Sequence, residues 1–242
     1  MDINDSQELN LIKARIDKIQ DRINQAALKT GRNSEEIDLI AVTKEKSAAI
    51  IKILLENGIS KIGESYLKEA LFKIELLKDY KLDWHMIGNI QSGKELQIAI
   101  NFAEIHSVER FRTAEQLNSK ARQIERVLPI YLEFNVSGEG TKHGWEAWNE
   151  NLWVNFLPEI EKVTKFQNLN IKGLMTMAPY SINPEDSRPY FARLRKLGIY
   201  LQSIFPENNF RGLSMGMSGD FEVAIEEGAT VLRIGSALVG SR

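Results

Sequence analysis

The chain has 242 residues, 43% of them apolar and 26% charged, and its 31 Lys plus Arg against 33 Asp plus Glu give a formal net charge of −2. That composition excludes a mainly disordered chain, and the balanced charge excludes a general polyanion binder, so no nucleic-acid partner is expected. Zero cysteines remove disulfides and thiolate metal ligands, which fits a cytoplasmic location, and neither a membrane span of ~18 apolar residues nor a signal pattern is found.

The first predicted element is a helix over residues 6–31, with Ser6 as its cap and Gly31 as its stop. Leu9, Ile12, Ile16, Ile19, Ile23 and Ala27 recur along it at three- and four-residue steps, the mark of a helix lying on a core. Beyond it, short apolar runs alternate with amphipathic stretches. The runs cover residues 38–44, 61–65, 83–88, 104–108, 130–136, 170–177, 212–218 and 230–236. Near-continuous apolar runs are how strands buried on both faces read. Helical periodicity fills 48–57, 67–77, 93–100, 110–126, 151–165, 187–204 and 221–227. Strand–helix alternation requires parallel pairing, and eight repeats in ~200 residues close into a (β/α)8 TIM barrel, with an open doubly wound sheet as the alternative. No linker or composition break interrupts the chain. The expectation is one α/β domain over 1–242, with the 1–31 helix packed on the barrel.

In such a barrel, polar residues at the C-terminal ends of strands are the functional candidates. They are Lys44, Ser65, Gly88, Asn89, Asn135, Thr176, the 214–218 run and the 233–236 run. Two local motifs fail on chemistry. Residues 212–216 match the G-x-S-x-G nucleophile elbow, but that order needs a histidine after the serine, and His85, His106 and His143 all precede it. Residues 88–94 match G-x-x-x-x-G-K, but Glu95 stands where a hydroxyl should hold Mg²⁺. The histidines lack paired spacing, so no metal site is expected, and His85 reads as a hydrogen-bonded core residue.

Lys44 ends its strand with its stem against the apolar wall and its amine at the mouth, placed for attack on a carbonyl; a solvated strand-end lysine, like Lys46, is the other reading. The loops after the last two barrel strands commonly seat a phosphate. Here they offer the hydroxyls of Ser214 and Ser218 beside glycines, and then Gly235 and Ser236. An amine facing a phosphate seat asks for a phosphorylated carbonyl compound, either pyridoxal 5′-phosphate or a sugar phosphate. Arg233 alternates with Gly235 and so points inward, where a pyridine nitrogen would serve as its acceptor; pairing with a carboxylate is the other reading.

Seven segments in order then carry a resemblance: Ala41-Val-Thr-Lys44-Glu-Lys, Gly63-Glu-Ser-Tyr66, Trp84-His-Met-Ile-Gly88 with Gln91-Ser92, Ile105-His-Ser-Val108, Gly173-Leu-Met-Thr176, Leu213-Ser-Met-Gly-Met-Ser218 and Val231-Leu-Arg-Ile-Gly235. Over nearly its whole length the chain resembles the pyridoxal phosphate homeostasis protein family. The resemblance implies the barrel of the alanine racemase N-terminal domain, preceded by an extra helix. It implies that Lys44 forms the internal aldimine with pyridoxal phosphate, that Ser214, Gly235 and Ser236 bind the phosphate, and that Arg233 faces the pyridine nitrogen. Met215 and Ser65 match positions near the ring. Ser65 departs from the family's frequent Asn, Ser47 from a common Pro, and Asn89 from His or Pro. The stretch from Trp145 to Trp153, with three tryptophans, has no counterpart in the family pattern.

Arginine opposite the pyridine nitrogen favours an unprotonated ring, a weak electron sink. The racemases that this barrel resembles take a second base, a Tyr, from a C-terminal β-domain that is not expected six residues after Ser236. The expected function is therefore a cofactor carrier in vitamin B6 homeostasis without catalytic turnover. It would be a monomer in transient contact with pyridoxal phosphate-dependent apoenzymes. An amino-acid racemase and a Schiff-base sugar-phosphate aldolase are the alternatives.

Overall fold

A computed structural model of the chain describes residues 3–240. Its strands are β1 (Asp38–Val42), β2 (Lys61–Glu64), β3 (Asp83–Met86), β4 (Glu104–Val108), β5 (Leu128–Asn135), β6 (Trp145–Glu146), β7 (Leu169–Met175), β8 (Gly212–Ser214) and β9 (Val231–Ile234). Its helices are α1 (Ile3–Lys29), α2 (Ala48–Glu56), α3 (Leu67–Leu76), α4 (Glu95–Asn101), α5 (Phe111–Gln123), α6 (Trp153–Thr164), α7 (Arg188–Ile204), α8 (Phe221–Glu226) and α9 (Ser236–Val239). Every strand pairing is parallel. The order β1-β2-β3-β4-β5-β7-β8-β9 closes when β9 pairs β1, with Ile40 beside Arg233. This is the (β/α)8 barrel, and the open-sheet alternative is overturned by the β9–β1 ladder. The short β6, paired to the end of β5 outside the ring, is an addition the apolar pattern did not announce.

Side-chain alternation sorts the strands into two layers. Outward residues such as Ala41, Ile62, Met86, Ile105, Leu132, Leu174 and Leu232 pack against the helices in the main core. The inward apolar set is small: Ile40, Tyr131, Met175 and Val231, with Met177 against them. The rest of the interior is polar, and that sets up the site. At one point the barrel wall demands glycine. Gly173 has φ +155°, and a Cβ there would lie 1.9 Å from the Gly212 carbonyl oxygen, so β7 and β8 meet without room for a side chain.

The N-terminal helix begins at Ile3, so Ser6 sits inside it instead of capping it. Gly31, at φ +68°, does end it, with N–H groups of Gly31 and Arg32 returning to Leu28 and Ala27 carbonyls. Leu9 falls among residues whose side chains lie outside those described. The remaining stripe, Ile12, Ile16, Ile19, Ile23 and Ala27, is buried, and α1 packs on α8 and α9. Arg22 bonds Glu222 at 2.6 Å and covers the Phe221 ring. No helix among the described residues is long and apolar enough to cross a membrane. Ile23→Ala is expected to lower stability by about 3 kcal/mol in urea unfolding, whereas an unchanged midpoint would mean that the helix is not part of the folded core.

Candidate functional site

Lys44 follows β1 by two residues, and the alternation that turns Ile40 inward carries it to the C-terminal mouth of the barrel. It is half-buried, and among the described residues its amine has no hydrogen-bond or ion-pair partner. Ser65 stands at the matching end of β2. The backbone of Ser65 lies so close to Gly88 that a Cβ on Gly88 would fall 2.2 Å from its carbonyl oxygen.

Arg233 rises from β9 into the interior and is 4% exposed. Its guanidinium donates to Ser214 Oγ at 2.6 Å and to the Thr176 carbonyl at 2.9 Å. Both partners are neutral, and no described carboxylate reaches ion-pair distance. Burial pulls its pKa down to about 10 against the more distant pull of Glu133 and Asp220. The carboxylate-paired reading of Arg233 is therefore replaced by a buried cation held only by neutral oxygens. Such a cation is costly unless something else accepts from it.

Ser214 is engaged within the barrel wall. Its side chain is fully buried below the mouth, with Oγ accepting from Arg233 and hydrogen-bonded to His106 Nδ1 at 2.9 Å. That hydroxyl supports Arg233. The ladder to β9 continues past this residue, from the Met215 N–H to the Val231 carbonyl and from the Arg233 N–H to the Gly216 carbonyl, so Ser214 lies within the paired wall. The hydroxyl that meets the last loop is Ser218, whose Oγ accepts from the Ala237 N–H at 3.2 Å. Gly235 and the exposed Ser236 lie in that same loop pair. The Met215 side chain is buried in the helix-facing core.

The floor of the site is a polar chain. His106 Nε2 shares a hydrogen bond with His85 Nδ1 at 3.0 Å, and Glu104 Oε2 lies 3.4 and 3.8 Å from those two nitrogens. The fold thus assembles histidines that the sequence leaves scattered. Burial pushes His85 down to about 4 and His106 well below its ordinary value, so both rings are neutral at pH 7. The His106 ring stacks on Tyr131 at 4.6 Å and 9°.

Glu133 was missed by the sequence reading. It is buried on β5 facing the same interior, and burial first, then Glu109, pushes it up to about 7. Its signal was available, since Glu133 alternates with Tyr131 and is the one charged residue of β5. The other strand-end candidates serve structure. Asn135 accepts from the Ser137 and Gly138 N–H groups, Thr176 Oγ1 donates to the Phe134 carbonyl, and Asn89 lies 3.4 Å from His143 Nε2. The tryptophan segment anchors a loop: Trp145 donates to Glu159 and Trp153 to the Ala147 carbonyl. A cleft of ≈ 560 Å³ opens at the opposite end of the barrel, lined by Asp38, Lys172, Arg211 and Thr230.

Comparison with known proteins places this geometry. The family model described as "Alanine racemase, N-terminal domain" matches residues 14–242. The pyridoxal phosphate homeostasis protein of Aquifex aeolicus is 40% identical over 228 residues, covering 94% of this chain and 97% of its own. That of Pseudomonas aeruginosa is 39% identical over 235 residues, covering 97% of each. The structure of PipY from Synechococcus elongatus with PLP bound superposes with a TM-score of 0.82 at 30% identity, over 95% of this chain and all of that one. Alanine racemase of Clostridium difficile shares the fold alone, at 14% identity and a TM-score of 0.69 over 58% of its length. With its fold, its family model and full-length relatives in agreement, the chain belongs to the alanine racemase N-terminal-domain family and, within it, to the pyridoxal phosphate homeostasis proteins.

Proposed function

We propose that this protein binds pyridoxal 5′-phosphate at the C-terminal mouth of the barrel, through Lys44, and serves to hold and deliver it in vitamin B6 homeostasis. The observation that carries this is Arg233, a buried cation lacking a contacting carboxylate, in the same barrel mouth as an amine without a partner. The cofactor bound to the PipY relative supports the same reading.

The donor set fits the group. Arg233 supplies a hydrogen-bond donor for a ring nitrogen, and Ser214 with the neutral His106 keeps it aimed. Ser218, Ser236 and the main chain about Gly235 supply phosphate donors. Ser65 and the main chain of Met215 flank the ring. Bound there, pyridoxal phosphate supplies an aldehyde that condenses with a primary amine and releases water. Lys44 provides that amine, half-shielded from solvent, which limits hydrolysis of the product. A guanidinium keeps its own proton and leaves the ring nitrogen unprotonated, so the site suits carriage over carbanion chemistry. Transient contact with recipient apoenzymes, a monomeric state and a reducing cytoplasm go with this reading.

Titration of the purified protein with pyridoxal phosphate is expected to raise a visible imine absorbance that Lys44→Ala abolishes. A full-strength band in the variant would contradict the assignment. Acidity gives a second expectation. The value near 7 for Glu133 lies above the ordinary 4.5, so the folded protein retains a proton that the unfolded chain releases between those values. Its stabilising contribution is full below pH 4.5 and lost as pH rises through 7. Urea unfolding of the cofactor-free protein at pH 5 and pH 8 should therefore show a decline about 3 kcal/mol steeper in the wild type than in Glu133→Gln. Equal declines would place Glu133 in a wetter setting than the fold gives it.

A further inference from the structure

On the outer side of the wall behind Lys44 lies a buried ionic cluster. Glu64 points outward from β2, as the burial of its neighbour Ile62 in the helix-facing core requires, and Lys73 and Glu69 come from α3. Lys73 is 3% exposed. Its ammonium donates to Glu64 Oε1 at 2.7 Å, to Glu69 Oε1 at 2.6 Å and to the Thr43 carbonyl at 2.7 Å. All three of its hydrogens are thereby used. Thr43 Oγ1 donates to the same Glu64 oxygen at 2.6 Å, and Glu69 Oε1 also accepts from the Glu45 N–H at 2.6 Å.

These contacts converge on one residue. The peptide plane entering Lys44 is held at the Thr43 carbonyl by Lys73. The plane leaving it is held at the Glu45 N–H by Glu69. Both planes that set the backbone angles of Lys44 are thus pinned by side chains from α3. Glu45 itself sits at φ +62°, a left-handed conformation that costs a non-glycine residue energy and persists only where the surroundings enforce it. A buried ion pair is weak evidence for stability, so its placement here needs another explanation. Preorganisation of the lysine supplies one.

We propose that Lys73, Glu64 and Glu69 form a clamp that positions Lys44 for covalent capture of the cofactor, acting through its main chain and touching no ligand. The inference rests on the reading of Lys44 as the cofactor lysine. The clamp favours the covalent bond and leaves the phosphate and ring contacts untouched.

The test compares two ligands. Pyridoxal phosphate can bond covalently, whereas pyridoxine 5′-phosphate, an alcohol, cannot. Glu69→Ala frees the Glu45 N–H and leaves Lys73 its bonds to Glu64 and the Thr43 carbonyl, and Glu69→Gln keeps an acceptor for both donors. In Glu69→Ala the ratio of the two affinities should fall about tenfold, the scale of one charge-assisted hydrogen bond, with pyridoxine 5′-phosphate affinity unchanged. Glu69→Gln should return the ratio to within twofold. Lys73→Met, if it folds, should show the same selective loss. A wild-type ratio in Glu69→Ala, or an equal loss for both ligands, overturns the clamp. Wild-type protein that traps no cofactor on Lys44 after borohydride reduction overturns the cofactor reading instead, and the clamp with it.

Discussion

The barrel interior is organised around a guanidinium that has no carboxylate to touch. Arg233 enters from β9 into a space lined by Ile40, Tyr131, Met175 and Val231, where an unsatisfied charge would be expelled or neutralised. The protein keeps it with two neutral oxygens, those of Ser214 and Thr176, and backs Ser214 with His106. Neutral contacts matter because a contacting carboxylate would satisfy the cation internally. As built, the remaining guanidinium N–H groups have no protein acceptor among the described residues.

Everything else in the site follows from barrel closure. The β9–β1 ladder sets Ile40 beside Arg233, so the lysine four residues beyond Ile40 is carried to the mouth above it. Behind that lysine, α3 holds the main chain with buried charge; before it, the wall offers polar donors. The division of labour is spatial. Outward-facing residues fix geometry, and inward-facing residues line the mouth. The bottom of the barrel, with its separate cleft, takes no part in this arrangement.

Much of this was legible in the sequence because period-two alternation and strand ends are local properties. Lys44 at the end of an apolar run and Arg233 two residues before Gly235 both followed from that rule. What was not legible depended on where a strand stops or which strands are neighbours. The run at 212–218 reads as one strand, yet its ladder to β9 runs only through Gly216, so Ser214 lies within the paired wall and Ser218 meets the loop, while alternation turns the Met215 side chain into the helix layer. The meeting of His85, His106 and Glu104 crosses two adjacent strands and leaves no spacing signal. Glu133 was visible as the one charged residue of its strand, but its weight came only once burial was known. Ser6 was misread because a good capping residue also occurs inside helices.

The central claim is that Arg233 donates to an unprotonated ring nitrogen. Its most direct test is a ¹⁵N NMR spectrum of the protein loaded with pyridoxal phosphate labelled at that nitrogen. The account predicts the chemical shift of an unprotonated, hydrogen-bonded pyridine at neutral pH. A protonated pyridinium signal, or one that Arg233→Gln leaves unmoved, would contradict it.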